Sequence, residues 1–141
     1  MDITRKAISQ VEVGFRSSFS KAITEEDIRK FAEVSGDLNP LHLDEGYAKR
    51  TIFGRRIAHG IMTLGLVSAA LSKLPGYVIY ASQSVEFTRP VNIGDVVEAV
   101  VEVVEKSADR SEVKLRTYAR NQRGEQILDG EAKVRLFDLE Q

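Results

Sequence analysis

Gly60-Ile61-Met62-Thr63-Leu64-Gly65-Leu66-Val67-Ser68-Ala69-Ala70-Leu71-Ser72-Lys73-Leu74 is the stretch that decides the fold. Wound at about 3.6 residues per turn, it presents apolar side chains on nearly every side, so it is predicted to form one helix, buried all round. Pro75-Gly76 ends it. Thr63, Ser68, Ser72 and Lys73 break its apolar run. It is also shorter than the roughly 20 apolar residues that a bilayer span requires. A buried helix needs a cover, and the chain downstream supplies one.

Val97, Ala99, Val101 and Val103 fall on one face of an extended segment, and Glu98 and Glu102 on the other. Val113, Leu115, Thr117 and Ala119 alternate with Glu112, Lys114, Arg116, Tyr118 and Arg120. Leu128, Ala132, Val134 and Leu136 alternate with Asp129, Glu131, Lys133 and Arg135. Three consecutive segments of period two predict an antiparallel sheet with one apolar face. Ser107-Ala108-Asp109-Arg110 and Asn121-Gln122-Arg123-Gly124 read as hairpin connections. Tyr77 to Phe87 is a further strand, followed by a turn at Asn92-Ile93-Gly94-Asp95. Val11, Val13 and Phe15 suggest one more near the start. The sum is a two-layer α+β domain, an antiparallel sheet wrapped around a long central helix. A sheet curling around a single central helix is the hot-dog arrangement, and the pattern also admits other sheet-on-helix topologies. At 141 residues the chain suits one such domain over 1–141.

Upstream of the central helix, Thr24-Glu25-Glu26-Asp27 marks a helix start with a capping-box pattern. Ile28, Phe31 and Ala32 form its apolar stripe, and Gly36 ends it. A short irregular segment, Asp37 to His42, comes next. Asp44 to Arg50 then forms a short helix carrying Tyr47 and Ala48 inward.

Composition narrows the chemistry. Lys+Arg 20 against Asp+Glu 21 gives 20 − 21 = −1, with no basic bias toward nucleic acid. The absence of Cys excludes disulfides, a Cys nucleophile and thiolate metal sites. With two histidines, His42 and His59, a multi-His metal centre is not expected. The start of the chain lacks the apolar run of a signal peptide, so a cytoplasmic location is the default.

One stretch concentrates functional groups: Ser35-Gly36-Asp37-Leu38-Asn39-Pro40-Leu41-His42. A carboxylate and an imidazole converging on a water are a usual means of activating it, because His titrates near neutral pH. Burial beside apolar walls would raise the Asp37 pKa into a useful range. The competing reading is an ordinary turn in which Asp and Asn bond their own backbone. A second candidate is Ile57-Ala58-His59-Gly60-Ile61. Free N–H groups and the positive end of the helix dipole lie at its helix start, and Gly60 lets a ligand oxygen come close. Such a place would stabilise charge on a thioester oxygen. His59 itself reads as structural.

The Ser35–His42 stretch resembles the hydratase-2 signature of the MaoC-like, (R)-specific enoyl-CoA hydratases. Tyr47-Ala48, Ile57-Ala58-His59-Gly60-Ile61-Met62, Gln83-Ser84-Val85-Glu86-Phe87, Arg89-Pro90-Val91 and Gly94-Asp95 extend the likeness over most of the chain. The resemblance implies a hydro-lyase that adds water reversibly to trans-2-enoyl-CoA to give (3R)-hydroxyacyl-CoA. It implies that Asp37 and His42 activate the water, with Asn39 holding their loop. The Gly60 N–H would bind the thioester oxygen, and Ser68 and Leu71 would line the acyl pocket. No metal or other cofactor is implied beyond the CoA of the substrate, and the expected assembly is a homodimer or an assembly of dimers. Rival readings are a (3R)-hydroxyacyl-[acyl carrier protein] dehydratase, a hot-dog acyl-CoA thioesterase and a non-catalytic acyl-binding module. Arg50, Arg55, Arg56 and Arg89 could meet an acidic carrier or the CoA phosphates, or simply be solvated.

Overall fold

A computed structural model describes residues 6–140. In chain order the elements are α1 (Lys6–Ser9), β1 (Arg16–Ala22), α2 (Glu25–Ser35), α3 (Pro40–Leu43) and α4 (Glu45–Ala48). Then follow α5 (Gly60–Leu71), β2 (Tyr77–Phe87), β3 (Val96–Ser107), β4 (Glu112–Arg120) and β5 (Gln126–Phe137). The five strands form one sheet in the order β1-β3-β4-β5-β2, every pair antiparallel. It curls around α5, as the hot-dog reading requires.

The period-two alternation is realised residue by residue. Val97, Ala99, Val101, Val103, Val113, Leu115, Thr117, Ala119, Leu128, Ala132 and Val134 are all fully buried. From α5 the facing residues are Leu66, Val67, Ala70 and Leu71. Register follows from the same rule, since a slip of one residue would turn this whole set outward. The three turns sit where expected. Gly94 and Gly124 take positive φ at two of them, and the Asn121 N–H bonds the Glu125 carbonyl across the β4–β5 turn.

Four features differ from the sequence reading. Helix α5 stops at Leu71, three residues early. Pro75 disfavours helical dihedrals at Leu74, so the last residues tighten into a turn, with the Leu74 N–H on the Leu71 carbonyl. Nor is α5 buried all round: Ile61, Gly65 and Ser68 form an open stripe at i, i+4, i+7 that none of the described residues covers. The first strand runs over Arg16–Ala22 rather than through Val11, Val13 and Phe15. Val11 is buried under the sheet end, whereas Val13 is exposed. The sequence Arg-Ser-Ser-Phe-Ser-Lys-Ala carries little apolar alternation because β1 is an edge strand, held by its ladder to β3 and by Phe19 against the core. Finally, α4 sends Ala48 inward but leaves Tyr47 half exposed, because one turn of helix can bury only one of two adjacent positions.

The two sheet edges differ in kind. β1 carries Arg16 and Lys21, paired with Glu102 and Asp27, the charged guard typical of a free edge. β2 instead exposes Tyr77, Ile79, Tyr80 and Phe87. Among the described residues no helix is long and apolar enough to cross a membrane.

Candidate active site

The site is assembled from the end of α2, the single turn α3 and the start of α5. Thr24 caps α2 through the full reciprocal box with Asp27. Gly36 closes it at φ 79°, its N–H on the Ala32 carbonyl. A ladder of short polar bonds then steers the chain. Ser35 Oγ accepts from the Asp37 N–H at 3.1 Å, Asp37 Oδ1 from the Asn39 N–H at 3.2 Å, and Asn39 Oδ1 from the Leu41 N–H at 3.1 Å. Each is a side chain bonding the backbone two residues away, the turn chemistry expected of Asp and Asn. Asn39 is thereby the N-cap of α3, with Pro40 in the first helical turn, so the segment expected to be irregular ends in a turn of helix.

That cap turns His42 inward, where it is 8% exposed. Its Nδ1 lies 2.7 Å from the Ile57 carbonyl oxygen. A carbonyl only accepts, so Nδ1 donates its N–H there and Nε2 is the ring nitrogen left for another partner. The His59 ring stacks on His42 with centroids 3.9 Å apart, and Phe31 tilts against its other side at 4.8 Å. His59 Nε2 donates to the backbone carbonyl of Asp37 at 3.1 Å. Burial holds the His59 pKa below the usual value of 6.5, and neighbouring His42 adds to the lowering.

One ligand-capable atom from each of Asp37, His42 and His59 lies within 4.8 Å of the others. Two partners hydrogen-bonded to one water sit about 4.6 Å apart at the tetrahedral angle, so this span suits a shared water. His59 Nδ1 and Thr63 Oγ1 are buried beside it with no partner among the described residues, polar atoms in reserve at a site.

A cavity of about 400 Å³ opens next to this cluster, walled by His42, Gly60, Ile61, Thr63, Phe87 and Ile127. Apolar walls with a few polar groups suit an acyl chain with one reacting centre. Gly60 opens α5, so its N–H has no acceptor within the helix. A Cβ there would lie 3.0, 3.1 and 3.3 Å from ring carbons of Phe87. Glycine at this position leaves the Phe87 ring in place against the start of α5.

Asp37, His42, Asn39 and Gly60 are thus brought together, but two other expected members are not. Ser68 lies on the open stripe of α5, and Leu71 is 1% exposed in the core against the sheet. Both sit two to three turns below Gly60, too far along the helix to wall this cavity. Asp37 is exposed in the chain, not buried as expected. Arg56 is no surface cation: its side chain is 10% exposed and paired with Glu25. Arg89 is paired with Glu125 at 3.3 Å. His59, read from the sequence as structural, packs on His42 and holds the Asp37 carbonyl. Its one signal was its place immediately before Gly60 at a helix start.

Residues 8–123 match the MaoC-like domain family. The chain is 46% identical over 128 residues to a 3-hydroxybutyryl-CoA dehydratase of Methylorubrum extorquens, covering 89% of this chain and 81% of that one. It is 40% identical over 135 residues to an (R)-specific enoyl-CoA hydratase of Rhodospirillum rubrum, covering 94% and 93%. An unliganded R-hydratase structure from Pseudomonas aeruginosa superposes with TM-score 0.86 at 41% identity, over 94% of this chain and 86% of that one. Fold, site loop and helix start therefore agree with sequence likeness over most of the chain, which belongs to the MaoC-like domain family.

Proposed function

We propose that the chain is an (R)-specific enoyl-CoA hydratase, adding water reversibly to trans-2-enoyl-CoA to give (3R)-hydroxyacyl-CoA. The observation that carries this reading is the His42 imidazole, fixed at Nδ1, clustered with Asp37 and lining an apolar cavity that Gly60 also lines. Polarising the thioester carbonyl at Gly60 draws electron density from C3 and stabilises the enolate that forms on addition. The water oxygen bonds to C3 and gives up one proton. The electron pair of the double bond moves toward C2 and the carbonyl, and C2 then takes a proton. Asp37 and His42 divide these two transfers, with His42 Nε2 the ring nitrogen left for them and Asn39 keeping α3 in place. No cofactor beyond the CoA of the substrate enters this scheme, since the nucleophile is water and the electrophile is activated by a backbone dipole.

A homodimer belongs to the same proposal. The β2 edge lies opposite β1 and is apolar and unguarded, and the α5 stripe is open as well. Exposed edges of this kind invite pairing. Light scattering checks it, and a monomer with full activity would overturn it. The rival that acts on carrier-bound substrates needs a basic mouth to meet an acidic carrier, and burial of Arg56 and pairing of Arg89 subtract from one. A cytoplasmic location completes the proposal. The direct test is hydration of crotonyl-CoA against the carrier-linked and the saturated thioester. Hydration of the CoA substrate is expected; free-thiol release from the saturated one would make this a thioesterase.

A further inference from the structure

Arg56 has a place that neither the reaction nor the fold has so far accounted for. Its Nε donates to the backbone carbonyl of His42 at 2.7 Å. Its Nη1 and Nη2 grip the two carboxylate oxygens of Glu25 at 2.7 and 2.9 Å. This is the fork-to-fork pairing that a guanidinium makes and an ammonium does not. The next residue, Ile57, presents the carbonyl that holds the His42 ring at Nδ1. Two consecutive residues therefore grip His42 at both ends, one at its main chain and one at its imidazole.

His42 needs such a grip. It stands on α3, a helix of four residues. One turn of helix has no stability of its own, and its last carbonyls lack N–H donors within the helix. Fixing the carbonyl alone would leave the ring free to rotate. Fixing the ring alone would leave the turn free to shift. Glu25 lies in the first turn of α2, a longer helix packed on the core through Ile28 and Ala32. The clamp thus runs from α2 through Arg56 to the turn that bears the imidazole.

We propose that Arg56, anchored by Glu25, is a positioning residue for the hydration reaction, holding the His42 imidazole in register with Asp37 and the Gly60 N–H. The inference rests on the functional reading above. Arg56 does not touch the substrate.

The test is steady-state hydration of crotonyl-CoA by the intact protein and three variants, Arg56→Ala, Arg56→Lys and Glu25→Gln. A misplacement of about 1 Å at a reacting group costs on the order of 100-fold in rate. Arg56→Ala is expected to lower kcat by about 10- to 100-fold, with KM within about threefold of the parent. Arg56→Lys should recover part of the loss, because it can still reach the His42 carbonyl. Glu25→Gln should lower kcat to a smaller extent, and adding it to Arg56→Ala should change little further. A raised KM at unchanged kcat, relieved on crotonyl-pantetheine, would instead make Arg56 a contact for the CoA phosphates and overturn the proposal. Unchanged kcat in the folded variants would do the same. If Arg56→Ala fails to fold, Arg56→Lys and Glu25→Gln decide the matter on the same kcat-against-KM split. Failure of the parent protein to hydrate crotonyl-CoA would instead refute the functional reading.

Discussion

Replacing Gly60 by alanine separates the cost of a methyl group to the fold from its cost to the chemistry. On the stability side two effects oppose. A helical Gly→Ala change gains roughly 0.5–1 kcal/mol through the unfolded chain and the helix backbone. Against it, the new Cβ meets three ring carbons of Phe87 at 3.0 to 3.3 Å, closer than ordinary contact. Phe87 is 47% exposed, so its ring can swing outward by a few tenths of an ångström. The net change in stability is expected to stay within about 1 kcal/mol. The chemistry has no such escape. The methyl stands where a thioester oxygen must approach the Gly60 N–H, and the displaced ring narrows the same cavity. Loss of one oxyanion donor costs about 100- to 1,000-fold in kcat. We expect Gly60→Ala to melt within a few degrees of the parent while kcat/KM falls at least about 100-fold, mostly in kcat. The assay follows loss of ultraviolet absorbance of the conjugated enoyl thioester, with thermal melting alongside. A variant that melts normally and keeps kcat/KM within about threefold would refute the role given to this N–H.

Asp37→Asn keeps an oxygen to accept the Asn39 N–H. Its melting temperature should therefore hold, while kcat falls by about 100- to 10,000-fold through loss of the acid–base group. Asn39→Ala removes the cap of α3 and should cost about 1 kcal/mol by denaturant titration, with kcat falling because His42 rides on that turn. For His59 the sign is set by its depressed pKa: the folded protein holds the ring neutral below pH 6.5, whereas the unfolded chain protonates it. Its contribution to stability is full above pH 6.5 and is lost as pH falls through the folded value. Melting temperature should accordingly fall on acidification below pH 6.5, and His59→Gln, measured over the same range, should lack that part of the fall.

How much of this was legible depended on what each residue needed from its neighbours. β3, β4 and β5 were readable because each pairs on both sides and buries one face, so apolar residues recur at every second position. β1 was not, since an edge strand of mostly small and polar residues needs only its ladder and one anchor, Phe19. The capping box at Thr24 and the stop at Gly36 are local signals, and both hold. The open stripe at Ile61, Gly65 and Ser68 could not be read, because an apolar composition does not say which side the chain itself covers. In the site, Asp37, Asn39 and His42 lie within six positions and were found together. His59 is 22 positions from Asp37, and Arg56 is 31 from Glu25. Those contacts join distant parts of the chain, and no spacing rule announces them.

The most direct test of the water-addition site is the configuration of the product formed from crotonyl-CoA and water, read with (R)- and (S)-selective 3-hydroxyacyl-CoA dehydrogenases. It is run on the parent protein, Asp37→Asn and His42→Ala. We expect the (3R) product alone from the parent and a rate lowered at least about 100-fold in each variant. A (3S) product, no hydration by the parent, or full rate in both folded variants would contradict the assignment of Asp37 and His42 to the attacking water.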